Sequence, residues 1–366
     1  MIREKIPISI PDLSRKEESA VVNVIRSKWI SQGKLVEHFE QMIKEFVGAK
    51  YALAVNSCTS ALHISLLSLG INDWDEVIVP SFTFIATVNS VVNAKATPVF
   101  VDIDLNTYNI DHTKIEKTIT KKTKAIMPVH QIGLPAEMEH ISKIAKKYNL
   151  HIIEDAACAL GTEYHGMKIG SISELTCFSF HPRKIITTGE GGMITTNNKD
   201  IYEKLISLRS HGISTSGKYN IAGFNYRMTD IQAAIGIQQM KKIRHLIDRR
   251  IELARRYNES LNKIEYIITP YIPENVKHIY QSYIIRIKQN SPKARDELMK
   301  ELQKKGIATR KILAAHLEPY YQKKIGEKKL PVTELCNKDT LLLPIYPSMS
   351  LKKQDYIIEN IRKFLC

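Results

Sequence analysis

A chain of 366 residues, 43% of them hydrophobic and 25% charged, is long enough for a large core. Two domains are expected from that length, and disorder is excluded by the composition. The net charge of +15 admits either a nucleic acid or an anionic small molecule as partner, and no apolar run is long enough to span a membrane.

The opening MIREKIPISIPDLSRKEE is too charged for a secretory signal, so a cytoplasmic location and no membrane association are expected. YALAV (51–55) reads as a strand, followed by a helix from Ser57 to Leu69. EVIVP (76–80) precedes a second helix, from about Phe84 to Asn93. PVFVD (98–102), KAIMPVH (124–130) and HIIED (151–155) continue the series, and LTCFSF (175–180) and GMITT (192–196) add strands. Each run is almost wholly apolar until its end, the pattern of strands buried on both faces of a largely parallel sheet between helices. The basic stretch MKKIRHLIDRRIELARR (240–256) reads as one long amphipathic helix with a solvated face. No aromatic interleaving or nucleic-acid motif accompanies it, so no nucleic-acid partner is expected. Beyond it, a strand in HIYQSYIIRI (278–287) and helices near 292–305 and 351–363 predict a smaller α+β domain. The expected division is 1–245 for the large domain and 246–366 for the small one.

The cysteines, Cys58, Cys158, Cys177, Cys336 and Cys366, form no C-x-x-C pair and are odd in number. Reduced thiols are expected, with no disulfide framework and no metal site.

In parallel α/β sheets ligands gather beyond the carboxyl ends of the strands. That rule selects His130, Asp155, the Asn56–Ser57 turn and Lys184. NSCTSALH (56–63) places small and hydroxyl residues at a helix start, where free N–H groups favour an anion. An ordinary capped helix would look the same. Asp155 ends a buried strand and calls for a cationic partner, either a side chain in a structural ion pair or a protonated ring nitrogen. Lys184 follows a strand and precedes the glycine-rich TTGEGG. Partial desolvation there is expected to reduce its ammonium character and make it a nucleophile able to form a Schiff base. Lysine, carboxylate and anion cup together specify pyridoxal phosphate better than any one of them.

Seven segments strengthen that reading: SKWISQGKLVEHFE (27–40), AVNSCTSALHISLLSLG (54–70), DEVIVPSFTFIATVNSV (75–91), VFVDIDLNTYNID (99–111), IIEDAACALG (152–161), SFHPRKIITTGEGGM (179–193) and FNYRMTDIQAAIG (224–236). Through them the chain resembles the DegT-type nucleotide-sugar aminotransferases, within the fold type I pyridoxal-phosphate enzymes. The resemblance implies an aspartate-aminotransferase-like α/β fold, with a large mostly parallel sheet domain and a smaller C-terminal α+β domain. It implies that Lys184 holds the cofactor as a Schiff base and then moves a proton. It gives Asp155 the pyridinium nitrogen, Phe84 and Ala157 the two ring faces, and Cys58, Thr59 and Ser179 the phosphate. It places Cys158 beside the ring and lets Asn225 reach the phosphate across a homodimer with shared active sites. Lys311 and His316, in ATRKILAAHLEPYY (308–321), are implied on the sugar-nucleotide side.

Two positions depart from the family. Glycine is frequent where Cys58 stands, so this side chain is expected to point away from the phosphate. Glutamine or histidine is frequent where Cys158 stands, and a thiol is a weaker donor. The activity implied is ping-pong transfer of an amine from an amino acid, glutamate by preference, to a keto sugar linked to a nucleoside diphosphate. The alternatives are a pyridoxal-phosphate sugar dehydratase, which Lys184 disfavours because the histidine-type members lack this lysine, and a non-enzymatic regulatory protein on the same scaffold.

Overall fold

The computed structural model describes residues 5–365, so Cys366 lies outside the described residues. Its centre is a seven-stranded sheet built from β1 (Tyr51–Val55), β2 (Glu76–Pro80), β3 (Thr97–Val101), β4 (Thr123–Ile126), β5 (His151–Asp155), β6 (Leu175–Ser179) and β7 (Gly192–Thr196). Their order across the sheet is β1-β7-β6-β5-β4-β2-β3. The pairs β2–β3, β2–β4, β4–β5 and β5–β6 are parallel. Only β7 runs against its neighbours, pairing Gly192 with Val55 on one side and Ser179 on the other. Consequently the carboxyl ends of β1, β2, β5 and β6 share one edge with the start of β7.

Alternation along each strand separates two cores. Ala52, Ala54, Ile78, Ile126, Ile152, Phe178 and Met193 face one, with Phe39, Ile43, Ile141 and Leu246. Leu53, Val55, Val77, Val79, Ile153, Cys177 and Ile194 face the other, with Leu62, Ile64, Val88, Val91 and Leu205. Helices α1 (Arg15–Ser27), α2 (Lys34–Val47), α3 (Cys58–Ser68), α4 (Ile85–Asn93), α5 (Met138–Tyr148), α6 (Lys199–Arg209) and α7 (Asp230–Lys241) supply most of the covering side chains. Burying each large aliphatic residue contributes about 1.5–3 kcal/mol.

Local chemistry sets the helix starts. Ser14 and Glu17 form a capping box on α1, with the Ser14 N–H donating to Glu17 Oε2 at 2.8 Å. The Asp230 carboxylate accepts from the N–H of Gly33 at 2.9 Å and of Val36 at 3.1 Å, capping α2 from a distant helix. Ser57 caps α3, accepting from Ser60 N–H at 3.1 Å.

The expected single basic helix breaks at Lys242, after α7, and α8 (Ile243–Leu261) follows. Ile243, Leu246 and Ile247 of α8 lie in the first core, whereas Leu253, Tyr257 and Leu261 lie in a third. That third core packs a small antiparallel sheet, Ile267–Ile268, Tyr283–Ile287 and Thr340–Leu343, against the helices Arg295–Lys304 and Leu351–Leu365. Ile6 joins it, bridging in parallel to Ile307. The large α/β domain with its mostly parallel sheet and the smaller C-terminal α+β region thus match the fold expected. No helix among the described residues is long and apolar enough to cross a membrane.

Candidate active site

Four strand ends converge on one cleft. Asp155 closes β5 with its side chain buried. Its Oδ1 accepts the Ala157 N–H at 3.1 Å, and its Oδ2 accepts the Thr87 hydroxyl of α4 at 2.7 Å. Thr83 supports Thr87 through a 2.8 Å hydroxyl contact. Among the described residues no cation lies within ion-pair distance of Asp155, so this buried carboxylate is held in place by its hydrogen bonds to Thr87 and the Ala157 N–H.

Lys184 lies beyond β6, in a turn fixed by its own N–H donating to the His181 carbonyl at 2.8 Å. Gln281 of the small domain clamps the same turn by donating to the Arg183 carbonyl at 2.7 Å. The half-buried ammonium donates to Cys158 Sγ at 3.1 Å. Burial pulls the pKa of Lys184 down, but Cys158, then Cys58 and Asp155, outweigh it, and the net shift is upward. The expected loss of ammonium character is therefore reversed in the chain by itself, because its acidic neighbours outweigh the desolvation.

The third component is the α3 start. The first turn of a helix leaves backbone N–H groups without helical partners, and here they belong to Cys58, Thr59 and their neighbours. Cys58 turns its sulfur toward β6, 3.8 Å from the Cys177 carbonyl, and burial holds its thiol well above the ordinary value. Gly192 lets the turn approach β7: a Cβ there would lie 2.5 Å from the Ser57 carbonyl carbon and oxygen and 2.7 Å from Cys58 N. Just before the turn, Asn56 Oδ1 is buried without a partner; with the amide turned over, its NH2 occupies that position.

The remaining residues fall into groups. Ser179 ends β6 opposite Gly192. Phe84 stands before α4 and is 61% exposed, and Ala157 is half-buried beside Asp155. Asn225 is exposed on the segment that bridges back to Ser210, next to the Tyr226 carbonyl that accepts from Asn56 N–H at 2.8 Å. His316 is buried and anchors its segment at the end of β2, with Nδ1 2.6 Å from Ser81 Oγ. Lys311 is paired with Asp296 at 2.9 Å on the small domain.

His130 turns away from the cleft: its Nδ1 accepts the Ala136 N–H at 3.0 Å and its Nε2 lies 2.6 Å from Glu154, both side chains being fully buried. Thr83, Thr87, Gln281 and Arg310 went unread in the sequence. The threonines carried a faint signal in their four-residue spacing. Arg310 lies close enough to His181 that, after burial, it and Lys184 help hold the imidazole toward its neutral form. Among the described residues no cluster of three or more His, Cys, Asp or Glu has the arrangement of a metal site.

This donor set fits pyridoxal phosphate: a lysine amine, an unpaired buried carboxylate, an exposed aromatic ring and a helix-start anion cup. The description DegT/DnrJ/EryC1/StrS aminotransferase family matches residues 11–362. The chain belongs to this aminotransferase family. It is a fold type I pyridoxal-phosphate enzyme by the same match and by its likeness to solved members. It is 39% identical over 366 residues to the GDP-perosamine synthase of Caulobacter vibrioides, with 99% of this chain and 98% of that protein covered. It superposes on Helicobacter pylori PseC, an aminotransferase involved in the biosynthesis of pseudoaminic acid, with a TM-score of 0.94 and 32% identity over 99% of each chain. Spr1654 of Streptococcus pneumoniae in its PLP-form gives a TM-score of 0.93 at 30% identity, covering 98% of each chain.

Proposed function

We propose that this aminotransferase moves an amine from glutamate to a keto sugar linked to a nucleoside diphosphate, as a cytoplasmic homodimer with shared active sites. The observation that carries the reading is the convergence of Lys184, the unpaired Asp155 and the α3 turn at one sheet edge. Bound pyridoxal phosphate would supply an electron sink for the charge left on a substrate carbon when its proton departs. Lys184 would hold the cofactor through Nζ and, once released, take and return that proton. Asp155, fixed by Thr87 and the Ala157 N–H, would keep the ring nitrogen protonated. Cys58, Thr59 and Ser179 would bind the phosphate, with Asn225 added across the dimer. Phe84 and Ala157 would confine the ring, and Cys158 would lie at its margin.

The substrate side is built from the small domain. His316 anchors the 308–321 segment against Ser81, and Lys311 is its partly exposed cation. The relatives support a sugar nucleotide as acceptor, and 4-keto-6-deoxy sugars are the first class to try. The test is a pair of half-reactions. Glutamate added to the loaded enzyme should release 2-oxoglutarate in stoichiometric amount. A 4-keto-6-deoxy sugar nucleotide added next should become its amino derivative. Release of water or ammonia without net amine transfer would overturn the reading.

A further inference from the structure

The peptide unit that leads into Lys184 is held at both of its polar ends. Its N–H, which belongs to Lys184, donates to the His181 carbonyl at 2.8 Å. Its carbonyl, which belongs to Arg183, accepts from Gln281 Nε2 at 2.7 Å. The first bond is local to the turn. The second crosses 98 residues and, among the described residues, is the one hydrogen bond that ties 181–184 to the C-terminal region. Gln281 is itself fixed. It is buried, and its Oε1 lies 3.0 Å from the Ser282 hydroxyl. The Arg183 carbonyl can only accept, so it takes the NH2 and leaves Oε1 for that hydroxyl, and the amide has one orientation. The backbone carbonyl of Gln281 accepts from Arg250 Nη1 at 3.0 Å. The same buried guanidinium donates to the Ile345 carbonyl at 3.0 Å.

Pinning both ends of a planar peptide fixes the direction in which the Lys184 side chain leaves the backbone. Lysine is long and rich in rotamers, so its starting direction decides how often Nζ reaches a given point. We propose that Gln281 is a positioning residue for Lys184: its amide, set by Ser282 and Arg250, holds the backbone from which the amine reaches the cofactor's aldehyde. The proposal rests on the reading of Lys184 as the cofactor's amine. In that step the neutral Nζ adds to the aldehyde carbon. A C–N double bond replaces the C–O double bond, and the oxygen leaves as water with both amine protons. Among the described residues Gln281 makes no hydrogen bond to the α3 turn or to Asp155, so docking of the cofactor and attack by the lysine can be measured apart.

Gln281→Met keeps the length of the side chain and removes the donor, whereas Gln281→His keeps a ring N–H at similar reach. Borohydride trapping after timed exposure to pyridoxal phosphate, read as pyridoxyl on the Lys184 peptide, gives the rate of attack. Equilibrium dialysis with pyridoxamine phosphate, which has no aldehyde for the lysine, gives docking alone. Gln281→Met should trap ~10- to 100-fold more slowly than wild type, the loss that a misplaced reacting group brings. Its Kd for pyridoxamine phosphate and its circular dichroism spectrum should be those of wild type. Gln281→His should recover most of the rate. Ser282→Ala, which frees the amide to turn over, should fall between wild type and Gln281→Met, and it decides the matter if Gln281→Met does not fold. Wild-type trapping in Gln281→Met and Ser282→Ala would overturn the proposal. So would Gln281→His as slow as Gln281→Met, or equal losses in trapping and in pyridoxamine phosphate binding, which a loosened fold alone would give. Wild-type chain that carries no pyridoxyl on Lys184 would instead sink the reading of that lysine as the cofactor's amine.

Discussion

Replacing Gly192 by alanine would drive a methyl group into backbone that cannot rotate away. The new Cβ would sit 2.5 Å from the Ser57 carbonyl carbon and oxygen and 2.7 Å from Cys58 N, where ordinary contacts begin at 3.4 Å. Strand β7 and the α3 start must therefore separate by about 1 Å, an overpacking strain that costs roughly 1–3 kcal/mol. The displaced atoms belong to the turn assigned to the cofactor phosphate. Misaligning one charge-assisted hydrogen bond there costs about 1.5–3 kcal/mol, or ~10- to 100-fold in affinity. Equilibrium dialysis with pyridoxal phosphate and thermal melting of Gly192→Ala would read both effects. The expected result is a lower Tm together with a Kd raised at least tenfold. A wild-type Kd in a variant with the expected drop in Tm would refute the assignment of the phosphate to this turn.

Asp155→Asn should lower kcat by ~10²–10³ while leaving cofactor bound, because the neutral amide no longer stabilises a protonated ring nitrogen; unchanged kcat would remove Asp155 from its role. Asn225→Ala should raise the Kd for pyridoxal phosphate about tenfold in the dimer, and an unchanged Kd would exclude a shared phosphate site. Glu17 provides a pH test. Burial raises its pKa, but its bonds to Ser14, Lys242 and Gln239 outweigh that and bring it from 4.5 to about 2. A depressed carboxylate stabilises the fold above its unfolded value and loses that contribution as pH falls through its folded value. The stability advantage of wild type over Glu17→Gln, read from urea unfolding, should be full above pH 4.5 and fade toward about pH 2. An advantage that persists at pH 2 would contradict this account of the α1 cap.

Strands buried on both faces were legible because an apolar run bounded by polar residues has few other uses. EVIVP, HIIED and GMITT have the bounds expected. KAIMPVH runs past its strand: β4 ends at Ile126, since Pro128 offers no N–H to the ladder, although Val129 still bridges to Asp155. The antiparallel course of β7 could not be read, because an apolar run carries no direction. Helices α1 and α2 went unread although Ser14 with Glu17 and the Gly48 terminator marked them. In the site, Asp155, Lys184 and the 57–60 turn were legible because each follows a strand end. Thr87 was hidden, since it meets Asp155 across 68 residues from a helix face that reads as core. The upward shift at Lys184 was hidden as well, because it depends on Cys158 and Cys58 arriving from two other strand ends.

The account stands on Lys184 being the amine that carries the cofactor. Reduction of the loaded protein with borohydride, followed by peptide mass mapping, tests this directly. A pyridoxyl group on the peptide containing Lys184 is the predicted result. A pyridoxyl group on another lysine, or none at saturating cofactor, would contradict the account.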